Sequence, residues 1–286
     1  MKKIVFVILH YQTIKDTEEC INSILQNINY GNFEIVIVDN FSTDGSGQVL
    51  KDKYNNLSNM HVILNNENLG FAKGNNIGFR FAKYELKAEF IIMINNDTLI
   101  KQKDFIDILI GKYKVSKYGV LGPDVISLID NGHQNPIKKG GLTYNYVCGK
   151  IKKFKILYIL NKFFMDLLFR RIYSILKKNS DNDFLCNYEL EQEDITLHGS
   201  CLIFSPKYIS KYDGLFDNTF MYWEESILYY IASRDKIKLL YTPNLKIYHK
   251  EDSATNTVLK NSRNKNRFFY KNSIDSLSRL KELMED

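Results

Sequence analysis

Asn95-Asn96-Asp97 closes an unbroken apolar run, Phe90 to Ile94. Such a run reads as a strand buried on both faces. A carboxylate at its end is costly unless something pairs with it. In open α/β sheets the carboxyl ends of the strands are where ligands bind. Asp97 therefore stands where a cation-bound phosphate could be held; the alternative is a loop aspartate capping the next helix. Two other apolar runs end in the same way, one at His10-Tyr11 and one at Asp39-Asn40. The polar stretch from Asn65 to Asn76, with Asn68, Gly70 and Lys73, would share that rim. This is a nucleotide-binding rim without a phosphate loop. Gly45-Ser46-Gly47 lacks the third glycine and the strand register of a dinucleotide fingerprint, and no GxxxxGK[ST] occurs.

Strands must hold these groups in place. Residues 3–9, 33–39, 61–64 and 90–94 read as strands. Helices are expected from about Asp16, near Gln48–Leu57, around Ile77, Phe81 and Tyr84, and over 104–118. A strand over 119–126 follows, then an irregular 128–149 with a short Thr143–Val147 strand. Further on come a strand over 195–204, a turn at Asp213–Asp217 and a helix approached from Phe220. Two short strands follow, Ile237–Tyr241 and Leu245–Tyr248, the second ending at His249. Alternating strands and helices predict an α/β fold with a mostly parallel, doubly wound sheet.

The chain's 286 residues, 25% charged and 44% hydrophobic, are ordinary for a soluble protein with a sizeable core. No charge-free apolar stretch reaches the length of about 18 residues expected of a spanning helix. Met1-Lys2-Lys3 runs straight into a strand, unlike a signal peptide. Cys20, Cys148, Cys186 and Cys201 form no CxxC pair, which argues against a disulfide framework or a zinc site and suits the cytosol. The net charge of +6 is concentrated: Lys150 to Lys178 holds nine Lys/Arg against one acid, Asp166.

Six motifs occur in order: Ile8-Leu-His-Tyr-Gln12, Val38-Asp-Asn-Phe-Ser-Thr-Asp-Gly-Ser46, Asn66-Glu-Asn-Leu-Gly-Phe-Ala-Lys-Gly-Asn-Asn76, Ile94-Asn-Asn-Asp97, Gly199-Ser-Cys-Leu-Ile203 and Phe220-Met-Tyr-Trp-Glu-Glu225. Together they resemble a family-2 glycosyltransferase with a GT-A (Rossmann-like) fold, of the bacterial rhamnosyltransferase-like group. The resemblance covers roughly residues 3–250 apart from 128–194.

What the resemblance implies is a donor site and an inverting reaction. Asp39 would read the nucleobase, with Asn40 and Ser42 nearby. Asn68, Gly70, Lys73 and Asn76 would line the nucleotide and diphosphate, and His10, Tyr11, Asn95 and Asn96 would border the donor. Asn95-Asn96-Asp97 resembles the Asp-x-Asp metal motif, with Asp97 as the main carboxylate. His249 would stand near the metal, Mg²⁺ or Mn²⁺. Of the pair Glu224-Glu225, the second resembles the general base, although the family usually has Asp there. Trp223 and Gly199 would face the acceptor. Each has a plainer reading: Asp39 as a helix cap, His249 and His10 as structural histidines, the glutamates as first-turn acids favoured by the helix dipole. Lys265 and Arg267 are either diphosphate contacts or a solvated basic tail.

The resemblance does not explain the basic segment 150–178. Lys155, Lys162, Asp166, Arg170 and Lys177 fall on one face of a helix, and the rest is largely apolar. Docking on a membrane surface, packing on the core and a homodimer interface are the three readings; nucleic-acid binding is not expected. The organisation expected is one glycosyltransferase domain over 1–260, with 128–194 inserted and a basic, then helical tail over 261–286. The expected function is transfer of a hexose (rhamnose, galactose, galactofuranose or glucose) from a UDP or dTDP sugar to a carbohydrate, lipid-linked acceptor in surface-polysaccharide assembly. The expected place is the cytoplasm, with the inner face of the cell membrane as an option. A sugar nucleotidyltransferase and a degenerate membrane-associated scaffold are the alternatives.

Overall fold

The computed structural model describes residues 1–166, 168–169, 187–251 and 262–285. Its parallel half is built from the four apolar runs: β1 (Ile4–His10), β2 (Phe33–Asp39), β3 (Met60–Leu64) and β4 (Phe90–Asn95). They pair in the order β3-β2-β1-β4. The register sets His10 beside Asp39, Asp39 beside Leu64 and Leu9 beside Asn95. Three polar strand ends thus share one rim, as their sequence positions require.

The other half is mixed. β10 (Cys201–Phe204) runs antiparallel between β4 and β6 (Val120–Ser127), and β6 pairs in parallel with β11 (Leu239–His249). Because β10 runs backwards, its start meets the end of β4: the Asn95 N–H donates to the Ser200 carbonyl at 2.8 Å. β5 (Thr98–Leu99) pairs antiparallel with the end of β11, setting His249 opposite Thr98. β8 (Gln192–Glu193) pairs with β11, and β7 (Lys138–Lys139) with β9 (Ile195–Thr196). The result is a mixed α/β domain with a curled central sheet flanked by helices.

Three local expectations change. The two short strands expected over 237–248 are one strand, β11, whose register shifts between Thr242 and Lys246. Pro243 lies in that shift, where a residue without an N–H is tolerated. The single strand expected over 195–204 is broken by His198-Gly199-Ser200. Thr143–Val147 is not a strand: Thr143 caps a helix, its hydroxyl accepting from the Tyr146 N–H at 3.3 Å.

Helices α1 (Ile14–Asn27), α2 (Ser46–Tyr54) and α4 (Phe105–Ser116) cover one face of the sheet, joining Ile21, Leu50 and Phe105 to Phe6 and Ile92. α3 (Phe71–Tyr84) and the short α6 (Pro206–Ile209) cover the other, where Phe79 and Tyr208 meet Val7 and Met93. A third core unites α5 (Tyr144–Lys162), α7 (Glu224–Arg234) and α8 (Ser262–Glu285). There Val147, Ile151, Phe154 and Leu157 are buried with Ile227, Tyr270, Leu277 and Leu280. One side of the apolar face read from the basic segment is therefore occupied within the protein, through Val147, Ile151, Phe154 and Leu157; Arg170, Lys177 and Cys186 lie outside the described residues. Within the 261–286 tail, Ser262–Glu285 is one helix tied into that core, the Tyr230 hydroxyl of α7 donating to its Leu283 carbonyl at 2.6 Å.

Candidate active site

Asp97 does not cap a helix, since α4 begins only at Phe105. Pairing of β5 with β11 brings it to His249-Lys250, and the Lys250 N–H donates to the Asp97 carbonyl at 2.9 Å. His249 Nδ1 lies 2.8 Å from the side-chain oxygen of Gln134. That oxygen only accepts, so Nδ1 donates to it and Nε2 is the ring nitrogen left for another partner. Nε2 faces Asp97 Oδ1 at 3.3 Å, and Oδ1 is buried with no hydrogen-bond partner. A carboxylate oxygen without a partner and an imidazole nitrogen, both ordinary metal ligands, meeting in a buried corner fit a shared cation. Among the described residues no group of three or more His, Cys, Asp or Glu could hold a metal. Asp97 and His249 would be two ligands, with phosphate oxygens supplying the others.

A second imidazole, which sequence reasoning missed, lines the same corner. The His198 ring lies 5.6 Å from that of His249, and its Nδ1 is 2.9 Å from the Ser200 hydroxyl. Burial first, then the neighbouring His249 imidazole, push the His198 pKa down to about 4, so the His198 ring is neutral at ordinary pH. A lone His between Leu197 and Gly199 gives no spacing signal to find it by.

Gly199 follows, and on it lies Glu225. A Cβ placed on Gly199 would come within 2.7 Å of Glu225 Oε1, so the absent side chain is the room this carboxylate occupies. Burial raises the pKa of Glu225, and the backbone groups of Glu225 and Gly199 offset part of that. Glu224 is 8% exposed with Oε1 unpartnered. Burial and the neighbouring Glu225 charge push it up to about 8. Burial raises both carboxyls and their mutual repulsion disfavours ionising the two together; Glu224, at about 8, is protonated near neutral pH. The turn that delivers them is strained: Tyr222 and Trp223 have φ of +72° and +68°, a left-handed geometry that bulky residues rarely adopt. Trp223, expected at the acceptor, packs its ring 6.2 Å from Phe154 of α5, with its indole N–H buried and unpartnered.

On the nucleotide side, Asp39 closes β2 at 5% exposure, and both its oxygens accept from the Ser42 N–H at 3.3 and 3.2 Å. It does not cap α2, whose first N–H, from Ser46, goes to Asp44 at 3.0 Å. Gly47 presses on Asp39, where a Cβ would stand 2.4 Å from the carboxyl carbon. Tyr11 is half-buried and Lys73 exposed. The Asn95 side chain is half-buried at the end of β4.

Several expected donor contacts are instead internal ties. The His10 ring is fully buried, with Nδ1 2.7 Å from Thr17 Oγ1 and Nε2 2.8 Å from Ser46 Oγ; it pins α1 to α2 and has no nitrogen left for a donor. Asn96 turns back to donate to Thr13 and Thr17 at 2.7 and 2.9 Å. Asn40 donates to Asn68 Oδ1 and the Gly70 carbonyl at 3.0 and 3.1 Å, and accepts from the Leu69 N–H at 3.0 Å. It shapes the 65–70 loop. Asn68 Oδ1 also accepts from the Gly70 N–H at 3.0 Å. Asn76 grips Leu215, donating to its carbonyl at 2.7 Å and accepting from its N–H at 2.8 Å. Gly70, at φ +80°, lets the loop press on residue 220, where a Cβ would meet the Phe220 carbonyl at 2.1 Å. Arg267 donates to Asn161 of α5 at 3.2 Å.

The profile described as Glycosyl transferase family 2 matches residues 5–208. The chain belongs to this family. The matched span includes Asp39, Asp97 and Gly199 and stops before Glu224, Glu225 and His249, whose placement rests on the geometry above. This family-2 glycosyltransferase is 28% identical over 227 residues to Glycosyltransferase GlyG of Streptococcus pneumoniae serotype 4, covering 76% of this chain and 69% of that one. It is 24% identical to the low-salt glycan biosynthesis hexosyltransferase Agl10 of Haloferax volcanii, over 82% of this chain and 62% of the relative. The dTDP-rhamnosyl transferase RfbF of Shigella flexneri is 33% identical over 125 residues, 43% of this chain and 40% of its own. Among solved structures, S. aureus TarS 1-349 in complex with UDP-GlcNAc aligns with a TM-score of 0.56 at 18% identity, covering 88% of this chain and 59% of TarS. The chain thus spans about three fifths of the length of Agl10 and of that TarS structure.

Proposed function

We propose that this chain transfers a hexose, with inversion, from a UDP or dTDP sugar to the hydroxyl of a saccharide acceptor carried on a lipid, in surface-polysaccharide assembly. One observation carries the reading. The unpartnered Asp97 Oδ1 facing His249 connects, through the His198 ring and Gly199, to the Glu225 carboxylate. A cation corner and an ionisable base therefore lie along one line of contacts. The relatives support the donor class: TarS was solved with UDP-GlcNAc, and RfbF is named for dTDP-rhamnose transfer.

A divalent cation, Mg²⁺ or Mn²⁺, held by Asp97 and His249 when bound, would neutralise the charge that develops on the diphosphate leaving group. Asp39, fixed by Ser42 and Gly47, is placed at the strand end where a nucleobase would be read. Glu225 accepts the proton of the acceptor hydroxyl as its oxygen bonds to the anomeric carbon and the bond to the diphosphate breaks. A single base with no opposed acid predicts inversion. Glu224, pushed up to about 8, carries no charge beside it near neutral pH.

The test is donor consumption and product formation with a panel of UDP, dTDP and GDP sugars. Loss of activity in both Asp97→Ala and Glu225→Gln is expected. Equal activity in both variants would remove the site assignment, and inactivity of the wild type on every donor would favour a scaffold. A thermal-shift screen of UDP, TDP and GDP with Mn²⁺ identifies the base, because a ligand of the folded state raises its stability.

A further inference from the structure

The C-terminal end of α5 carries a surface that the catalytic reading does not use. One face of the helix is buried against α7 and α8, yet the opposite face is not polar. Ile156, Ile159, Phe163, Phe164, Met165 and Leu168 are 45%, 55%, 68%, 73%, 50% and 56% exposed. Single exposed apolar residues need no explanation, but a contiguous set marks an interaction surface. Lys152, Lys155 and Lys162 are exposed among them.

This tip is built, not frayed. Arg263 of α8 donates to the Asn161 carbonyl at 3.0 Å and the Lys162 carbonyl at 2.8 Å, closing the end of α5. Its guanidinium lies 3.4 Å over the ring of Phe164. Beneath it the buried Asp166 accepts from Asn161 at 3.1 Å and from the Tyr270 hydroxyl at 3.2 Å.

We propose that this surface docks the protein on an anionic lipid bilayer, with the aromatic tip in the interface and the lysines against the headgroups. Apolar residues ringed by cations fit that partner. A second copy fits worse, because a twofold contact would set the same cations face to face. Among the described residues no helix is long and apolar enough to cross a membrane, so the contact is interfacial. Phe154, which touches Trp223, lies nine residues before Phe163, about 14 Å along a helix at 1.5 Å per residue. Docking would bring the Glu225 end of the site close to lipid-borne acceptors. The proposal does not rest on the catalytic reading, since vesicle capture and donor turnover are separate measurements.

The test sediments the full chain with vesicles of phosphatidylcholine alone and of phosphatidylcholine with phosphatidylglycerol, at low and high salt. Capture by the anionic vesicles is expected, weakening as salt screens the headgroups. Phe163→Ser with Phe164→Ser should lower capture about tenfold or more, as should Lys152→Glu with Lys155→Glu. The melting midpoint and donor turnover should be unchanged. Should the serine pair fail to fold, the glutamate pair, on exposed positions, carries the test. Wild-type protein left in solution with anionic vesicles at low salt overturns the proposal, as does capture indifferent to both pairs of substitutions. A concentration-dependent dimer that the serine pair dissolves also overturns it and gives the surface to a second copy.

Discussion

Glu225 lies where the side chain of residue 199 would be: a Cβ on Gly199 would stand 2.7 Å from its Oε1. Glycine is needed here for space, since Gly199 is not among the positive-φ glycines. Gly199→Ala should therefore fold and displace the carboxylate. A base moved by about 1 Å loses on the order of 10²-fold in rate. Steady-state kinetics should show kcat falling by about that factor, with the donor KM roughly unchanged and the melting midpoint close to wild type. Glu225→Gln should lose about 10²–10⁴-fold in kcat.

The pH profile of stability should identify Glu224. Its folded-state pKa of about 8 stands above the ordinary 4.5. Between those values the native state binds more protons than the unfolded chain, so stability falls as pH rises from about 5 to about 8. The loss assigned to this buried carboxyl is on the order of a few kcal/mol. Glu224→Gln imitates the protonated form and should flatten that part of the profile in urea titrations across the range. An unchanged slope would mean Glu224 is ionised in the native state.

Metal dependence should follow the Asp97 corner. Asp97→Ala should abolish the extra thermal shift that Mn²⁺ adds to UDP or TDP, and lower transfer by about 10²-fold or more. His249→Ala keeps the carboxylate and should raise the Mn²⁺ concentration needed for half-maximal activity by roughly tenfold. Transfer that persists in EDTA with wild-type protein would remove the cation from the scheme.

Asn76 should behave as a structural tie. Asn76→Ala leaves the buried Leu215 N–H and carbonyl unpaired, which costs about 2–3 kcal/mol. Urea denaturation should show that loss, while the donor KM stays close to wild type. A raised KM with unchanged stability would return Asn76 to the donor site.

The sheet and its rim were legible in the sequence because a buried parallel strand is an apolar run, and register then forces its polar ends together. His10 illustrates what was not. It sits at the predicted rim, but its ring turns inward to Thr17 and Ser46. The direction of a side chain at a strand end depends on tertiary partners that no local pattern encodes. Asn96 and Asn76 misled for the same reason: an Asn in a motif looks alike whether it grips a ligand or a distant backbone. Which of the three readings of the basic segment holds on each side of α5 is not legible locally, because α8, which covers one side, lies about 100 residues further along the chain. Thr143 fits a β-strand by residue type, yet its hydroxyl starts a helix.

The left-handed corner at Tyr222 and Trp223 sets durability against turnover. Each bulky residue held there costs about 1–3 kcal/mol. The corner is kept in place by the Ser276 hydroxyl on the Met221 carbonyl at 3.0 Å and by the Tyr222 ring against Phe269 at 4.9 Å. Selection for heat tolerance would favour glycine at either position and relax the bend. The same relaxation would let the first turn of α7 drift, so lineages gaining robustness at this spot would do so by surrendering aim.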